Sequence, residues 1–122
     1  MKLRICGNSI RLRLTRSEVE QFGSEGTVGE SVNFGDRNER GFHYVIRKDP
    51  AKTLHASFDG ASIVVSVPDN IAEKWVANED VGIEGVDGEL QILIEKDFVC
   101  LNPRKGEDQS DNFPHPEPKT MC

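Results

Sequence analysis

A stretch near the start of the chain, Gly7-Asn8-Ser9-Ile10-Arg11-Leu12-Arg13-Leu14-Thr15, has a second version at Gly60-Ala61-Ser62-Ile63-Val64-Val65-Ser66-Val67-Pro68. A shift of 53 positions superposes the two and carries on through Glu20 on Glu73, Val28 on Val81 and Gly29 on Gly82. Apolar positions pair in kind: Ile5 with Phe58, Leu12 with Val65, Leu14 with Val67, and Phe22 with Trp75. Beyond the loops the shift becomes 48, and Ile46-Arg47-Lys48-Asp49 falls on Ile94-Glu95-Lys96-Asp97. Turn glycine, strand phase, helix start and final strand recur in one order, which favours duplication over chance. Two copies are too few for a solenoid and suit a pseudo-symmetric, closed domain.

Each copy reads as β-β-α-β-β. Residues 2–6 alternate, with Leu3 and Ile5 on one face and Lys2, Arg4 and Cys6 on the other, the mark of a half-buried strand. Gly7-Asn8 supplies turn chemistry, and Ile10, Leu12 and Leu14 then alternate inward against Arg11 and Arg13 outward. Thr15 and Glu18 have the spacing of a capping box, Val19 and Phe22 give a short apolar stripe, and Gly23 and Gly26 are expected to end the helix. Thr27 to Phe34 and Phe42 to Arg47 complete the unit around a polar loop. In the second copy Leu54 to Phe58, Asp59-Gly60, and Ile63, Val65 and Val67 repeat the opening. Pro68 suits the first helical position, where its missing N–H costs nothing. Ile71, Ala72 and Trp75 lie at helical spacing. Val81 to Val86 and Glu89 to Ile94 are strands joined by Asp87-Gly88, a strong hairpin signal.

The second copy resembles the swapped-hairpin barrel of the MazE and AbrB family, antitoxins and transition-state regulators, through Ser62-Ile63-Val64-Val65-Ser66-Val67-Pro68, Asp80-Val81-Gly82-Ile83-Glu84 and Val86-Asp87-Gly88-Glu89-Leu90-Gln91-Ile92. The first contributes Gly7-Asn8-Ser9-Ile10-Arg11-Leu12-Arg13-Leu14. The whole chain also resembles a group of small bacterial proteins of unknown function that share this opening and the Glu107-Asp108 and Phe113-Pro114 tail. The resemblance implies a mainly β protein with two short helices (α+β). Its duplicated units, residues 1–49 and 54–97, would close one pseudo-dimeric AbrB-like barrel within a single domain of residues 1–101. An extended, proline-rich polar tail over 102–122 would follow. A lone unit buries its sheet poorly, closure removes exposed edges, and fusion lets a monomer fold.

Lys2, Arg4, Arg11, Arg13 and Arg16 are five cations with no acid among residues 1–16. In the resembled family this hairpin and its turn contact DNA, which implies that role for Arg4, Asn8, Arg11 and Arg13, and the cations Lys2 and Arg16 complete the candidate nucleic-acid surface. Arginine would neutralise phosphates there, with Asn8 or an arginine at base edges. Two observations weigh against a palindromic operator reader. The net charge is −6, and the second copy carries Ser57, Ala61, Val64 and Ser66 where the first has Arg4, Asn8, Arg11 and Arg13.

The tail offers a second class of function. Phe113-Pro114-His115-Pro116 reads as a docking piece, folded back on the body or offered to a protein partner, and back-packing is the favoured expectation. Cys100, His115 and Cys122, with Cys6 or Asp111 as a fourth ligand, form a candidate zinc-type site, although their spacing matches no compact zinc signature. Enzymatic readings find little to stand on. His43 and His55 lie in strands away from a nucleophile pattern, and the glycines occur singly at turns, so no phosphate-cradling loop is present.

Three cysteines make an odd count, unlike a secreted disulfide framework, and no apolar run suits a membrane span or signal peptide. The expectation is a cytoplasmic, non-enzymatic binding protein. It contacts nucleic acid through the basic hairpin or, alternatively, serves as an adaptor through its tail.

Overall fold

The structure, a computed structural model, describes residues 1–35, 41–97, 111 and 113. The elements follow in the order β1 (Lys2–Cys6), β2 (Ser9–Leu14), α1 (Arg16–Glu25), β3 (Thr27–Asn33), β4 (Gly41–Asp49), β5 (His55–Phe58), β6 (Ser62–Pro68), α2 (Asp69–Ala77), β7 (Gly82–Asp87) and β8 (Leu90–Lys96). The repeated β-β-α-β-β reading therefore describes both halves.

The strands form two four-stranded sheets, β1-β2-β8-β7 and β3-β4-β6-β5. Each sheet joins the first hairpin of one half to the second hairpin of the other, through the parallel pairs β2–β8 and β4–β6. Exchanging the halves turns one sheet into the other, register included. Ser9 stands opposite Gln91 as Ser62 stands opposite His43, and Leu12 opposite Ile94 as Val65 opposite Ile46. The expected closed barrel is corrected. Each sheet keeps two edge strands, β1 and β7 in one and β3 and β5 in the other.

At two equivalent places these edges approach each other through charge instead of backbone pairing. The Met1 α-amino group, at the head of β1, binds Glu18 of α1 and Glu30 of β3. In the other half, Asp87 at the end of β7 accepts from the Ala56 amide of β5 at 3.0 Å and pairs with His55 Nδ1 at 2.7 Å.

The inner faces and both helices share one core. It contains Leu12, Leu14, Ile92 and Ile94 from the first sheet, Ile46, Val65 and Val67 from the second, and Phe22 and Trp75 from the helices. Phe22 and Trp75 meet edge to face with centroids 6.3 Å apart, which makes Trp75 a core residue as the repeat implies.

The helix starts follow from their caps. Glu18 Oε1 accepts from the Thr15 amide at 2.9 Å and its hydroxyl at 3.0 Å, so the capping-box spacing is used. Pro68 instead closes β6 as the N-cap, one position before the helix that it was expected to begin.

Gly26 is the C-cap of α1 at φ 78°, but Gly23 lies inside the helix and does not end it. A Cβ at Gly23 would stand 2.7 Å from Val76 Cγ1 of α2, so this glycine lets the two helices approach. Val76 is its counterpart in the repeat. The other matched pair is Lys48 and Lys96, each reaching a carbonyl at the end of its own half's helix. Lys48 Nζ donates to Gly23 O at 2.9 Å and Lys96 Nζ to Asn78 O at 2.7 Å. Cations there satisfy orphan carbonyls and oppose the negative end of the helix dipole.

Two details of the repeat alignment change. Val28 opposes Ile46 while Ile83 opposes Ile94, so the counterpart of Val28 is Ile83 and not Val81, nor is Gly29 that of Gly82. The longer turn after α2 shifts the strand by two residues, and a shift of two preserves the face. Ile5 and Phe58 remain equivalent, opposite Ile10 and Ile63. They are not inward, however: at the ends of edge strands they are 60% and 64% exposed.

The tail folds back where it is described, as expected. Phe113 donates its amide to Asp97 O at 2.9 Å, and its ring packs against the core. Asp111 O accepts from the Arg16 amide at 2.9 Å.

Candidate functional site

Strand register sorts the outward side chains of the first sheet into three rows. Lys2, Arg13, Glu95 and Gly82 form the first, Arg4, Arg11, Leu93 and Glu84 the second, and Cys6, Ser9, Gln91 and Val86 the third. Paired residues share a face, so the alternation that sends Ile10, Leu12 and Leu14 into the core sends Ser9, Arg11 and Arg13 out. A groove of about 610 Å³ opens on this face, lined by Arg4, Arg11, Glu84, Val86 and Gln91 among others. That volume lies within the range of ligand-binding clefts.

Charge on the face is partly spent within the protein. Arg11 Nε and Arg13 Nε both approach Oε1 of Glu95, at 2.7 and 2.6 Å, and Arg11 Nη2 donates to Oε2 at 3.3 Å. Glu95 is nearly buried, and each arginine keeps about a third of its side chain in water. One carboxylate thus serves two guanidinium groups, leaving a surplus of positive charge. Lys2 pairs with Asp97 at 3.0 Å. Arg4 is exposed and makes no ion pair among the described residues.

The six residues proposed for nucleic acid therefore divide. Lys2, Arg4, Arg11 and Arg13 are brought onto one face. Asn8 sits at the end of the hairpin, where its side-chain Nδ2 donates to Glu89 O at 2.8 Å and its backbone carbonyl accepts from the Gln91 amide at 3.0 Å. Its side chain ties two hairpin tips together, so its base-reading role loses a free amide. Arg16 begins α1 instead and places its guanidinium 5.5 Å from the Phe113 ring centroid. Glu95, Glu84 and Gln91 were missed because the β7–β8 hairpin joins β2 from the far end of the chain. The one available signal was that Glu95 replaces Arg47 between the two copies.

The docked tail builds a separate cluster. Asp111 accepts from the Ser17 amide at 3.3 Å and from its hydroxyl, at the N-terminus of α1 where a negative charge is favoured. Hydrogen bonds from the Ser17 and Thr15 side chains hold its carboxyl below the usual range. Lys96 Nζ lies 5.4 Å from the Trp75 ring centroid and 5.5 Å from that of Phe113. Burial lowers its pKa, against opposing help from Asp80 and Glu79.

Cys100, His115 and Cys122 lie outside the described residues. Of the candidate fourth ligands, Cys6 is exposed on the groove and Asp111 is held by Ser17. Among the described residues no three His, Cys, Asp or Glu side chains stand close enough to hold a metal ion. His43 Nδ1 lies 2.7 Å from Ser31 Oγ on the second sheet, a neighbour its strand context did not announce. No described carboxylate hydrogen-bonds that ring. Among the described residues no helix is long and apolar enough to cross a membrane.

Fold and site define a small two-sheet α+β protein with an arginine-lined groove on one sheet. A model of a family of unknown function, DUF7009, matches residues 1–117, and the chain belongs to that family. The expected group of small proteins of unknown function is thereby supported. Comparison with curated proteins and with solved structures finds no match, so the resemblance to MazE and AbrB gains no support there.

Proposed function

We propose that this is a non-enzymatic binding protein that contacts nucleic acid through the outer face of its first sheet. The observation that carries this reading is the placement of Arg4, Arg11 and Arg13 on one face with only Glu95 bound between two of them. The two halves are read as a fused pseudo-dimer of swapped hairpins, which their matching parallel registers support. The second sheet presents Ser57, Val64 and Ser66 at the equivalent positions, so binding is one-sided and not that of a palindrome reader. No aromatic side chain stands in the three outward rows, which favours phosphate contact over base stacking. The alternative of a tail held out to a protein partner has less support, because Asp111 and Phe113 engage the chain's own body.

The test is retention of short labelled DNA duplexes across a salt series. With roughly two or three phosphates neutralised, log affinity should fall against log salt with a slope of about −2 to −3. Arg4→Glu, which breaks no described ion pair, should abolish retention without altering the fold. Absence of any shift at low salt overturns the reading.

A further inference from the structure

We propose that Arg11 is a phosphate seat that the protein fills with its own Glu95 carboxylate, shared with Arg13, so that Glu95 limits how strongly the first sheet holds nucleic acid. This rests on the reading of that face as a nucleic-acid surface and adds its regulation.

Three observations support the seat. Both guanidinium groups converge on one oxygen, Glu95 Oε1, at 2.7 and 2.6 Å. A carboxylate oxygen and a phosphate oxygen present the same kind of acceptor to a guanidinium, so one can stand in for the other. Secondly, Arg11 Nε is shut off from solvent yet makes no well-directed hydrogen bond, although Oε1 is close. Arg13 Nε already holds that oxygen in a hydrogen bond. The hydrogen bond that Arg11 does make to Glu95, from Nη2 to Oε2 at 3.3 Å, is longer than the 2.6 Å bond from Arg13 Nε.

The third observation is an internal control. In the second sheet the counterparts of Arg11, Arg13 and Glu95 are Val64, Ser66 and Arg47, in the same parallel register. There Arg47 Nε donates to Ser66 Oγ at 3.3 Å, and its Nη2 lies 3.6 Å from Asp49. The same strand arrangement forms with no carboxylate between two arginines. The triad is thus not a requirement of the fold.

Exchange would run through Arg11. It stands opposite Arg4 across β1 and β2, and both line the groove. A phosphate entering the groove takes Arg4 and Arg11 together, while Glu95 stays paired with Arg13. No buried charge is left without a partner at any stage.

The experiment compares the full-length protein with Glu95→Gln, using a short labelled DNA duplex in a salt series. Glu95→Gln should bind roughly 3- to 10-fold more tightly at low salt, with a slope steeper by about 1 for the freed cation. Arg11→Gln/Glu95→Gln, which restores the charge balance, should bind no more tightly than the wild type. Should Glu95→Gln fail to fold, Glu95→Asp draws the same charge back by one methylene and should shift affinity the same way by less. Weaker or unchanged binding in Glu95→Gln, with binding by the wild type, overturns the seat and leaves the surface reading intact. So does a double variant as tight as the single one. Binding by Glu95→Gln alone supports the seat and overturns binding by the wild type. Binding by neither overturns both.

Discussion

The two sheets share a register and an inner face, yet their outer faces differ in kind. On the first, Lys2, Arg4, Arg11 and Arg13 share a face with Glu95 and Glu84, and Arg4, Arg11 and Glu84 line its groove. On the second, the same positions hold His55, Ser57, Val64, Ser66, Arg47 and Gly29. Gly29 leaves Val45 so close that a Cβ there would lie 2.8 Å from its Cγ2. What both sheets retain is the set of constraints that burial imposes: alternation, the Leu12–Ile94 and Val65–Ile46 contacts, and a lysine at each helix end. What only one sheet has is free to differ, because water tolerates either composition. A repeat thereby separates what folds the chain from what one half does alone.

Equivalent core positions should respond alike. Phe22→Ala and Trp75→Ala each remove a fully buried aromatic and should cost about 3–5 kcal/mol in urea unfolding. A large inequality between them would break the inner-face equivalence.

The outer faces should respond unequally. Glu95→Ala strands two part-exposed arginines and should cost roughly 1–3 kcal/mol after allowance for solvent screening, against about 0.5 kcal/mol or less for Arg47→Ala. Equal losses would mean that the triad contributes no more to stability than the single Arg47 side chain does. Replacing the trio together, with Arg11→Val, Arg13→Ser and Glu95→Arg, should leave a folded protein that no longer retains DNA.

At the helix contact the two halves differ, with Gly23 of one against Val76 of the other. Gly23→Ala drives a methyl into Val76 and should cost about 1–2 kcal/mol despite alanine's better helix propensity. Adding Val76→Ala should recover part of that loss, and a double-mutant cycle measures the coupling.

The smallest effects distinguish the two edge clasps by pH. Burial alone would lower the pKa of the Met1 amino group, but hydrogen bonds from it to Glu18 and Glu30 raise it overall. Its stabilisation is present below about pH 8 and is lost as pH rises through the raised value. Glu18 is pushed up by burial, but the amino group and the Thr15 amide bring it below its ordinary value. Its contribution is present above about pH 4.3 and is lost as pH falls through the lowered value. Asp87 is lowered by the Ala56 amide, against a small opposing effect of burial, and so weakens on the acid side. Thermal unfolding from pH 3 to pH 10 should show an alkaline decline that Glu30→Gln diminishes and Asp87→Asn leaves in place. An unchanged alkaline decline in Glu30→Gln would remove the first clasp from the account.

Much of the architecture was legible because its causes are local. Alternation at Ile10, Leu12 and Leu14, the Thr15 and Glu18 cap, and the Asp87-Gly88 turn are each written within a few residues. The repeat added the equivalence of Phe22 with Trp75 and of Lys48 with Lys96, since both members of each pair occupy the same local phase. The arginines of the face were legible too, as outward residues of an alternating strand. Their neutralisation was not, because Glu95 and Arg11 are separated by most of the chain.

By itself, then, the sequence determined the two β-β-α-β-β halves, their buried faces and the charge imbalance between them, through short-range periodicity and turn chemistry. Only the tertiary structure decided which hairpins share a sheet, that the sheets meet through charged clasps at open edges, and that Glu95 sits between Arg11 and Arg13. Those outcomes depend on parallel strand pairing across the chain and on where edge strands stop being covered. Neither is carried by the spacing of neighbouring residues.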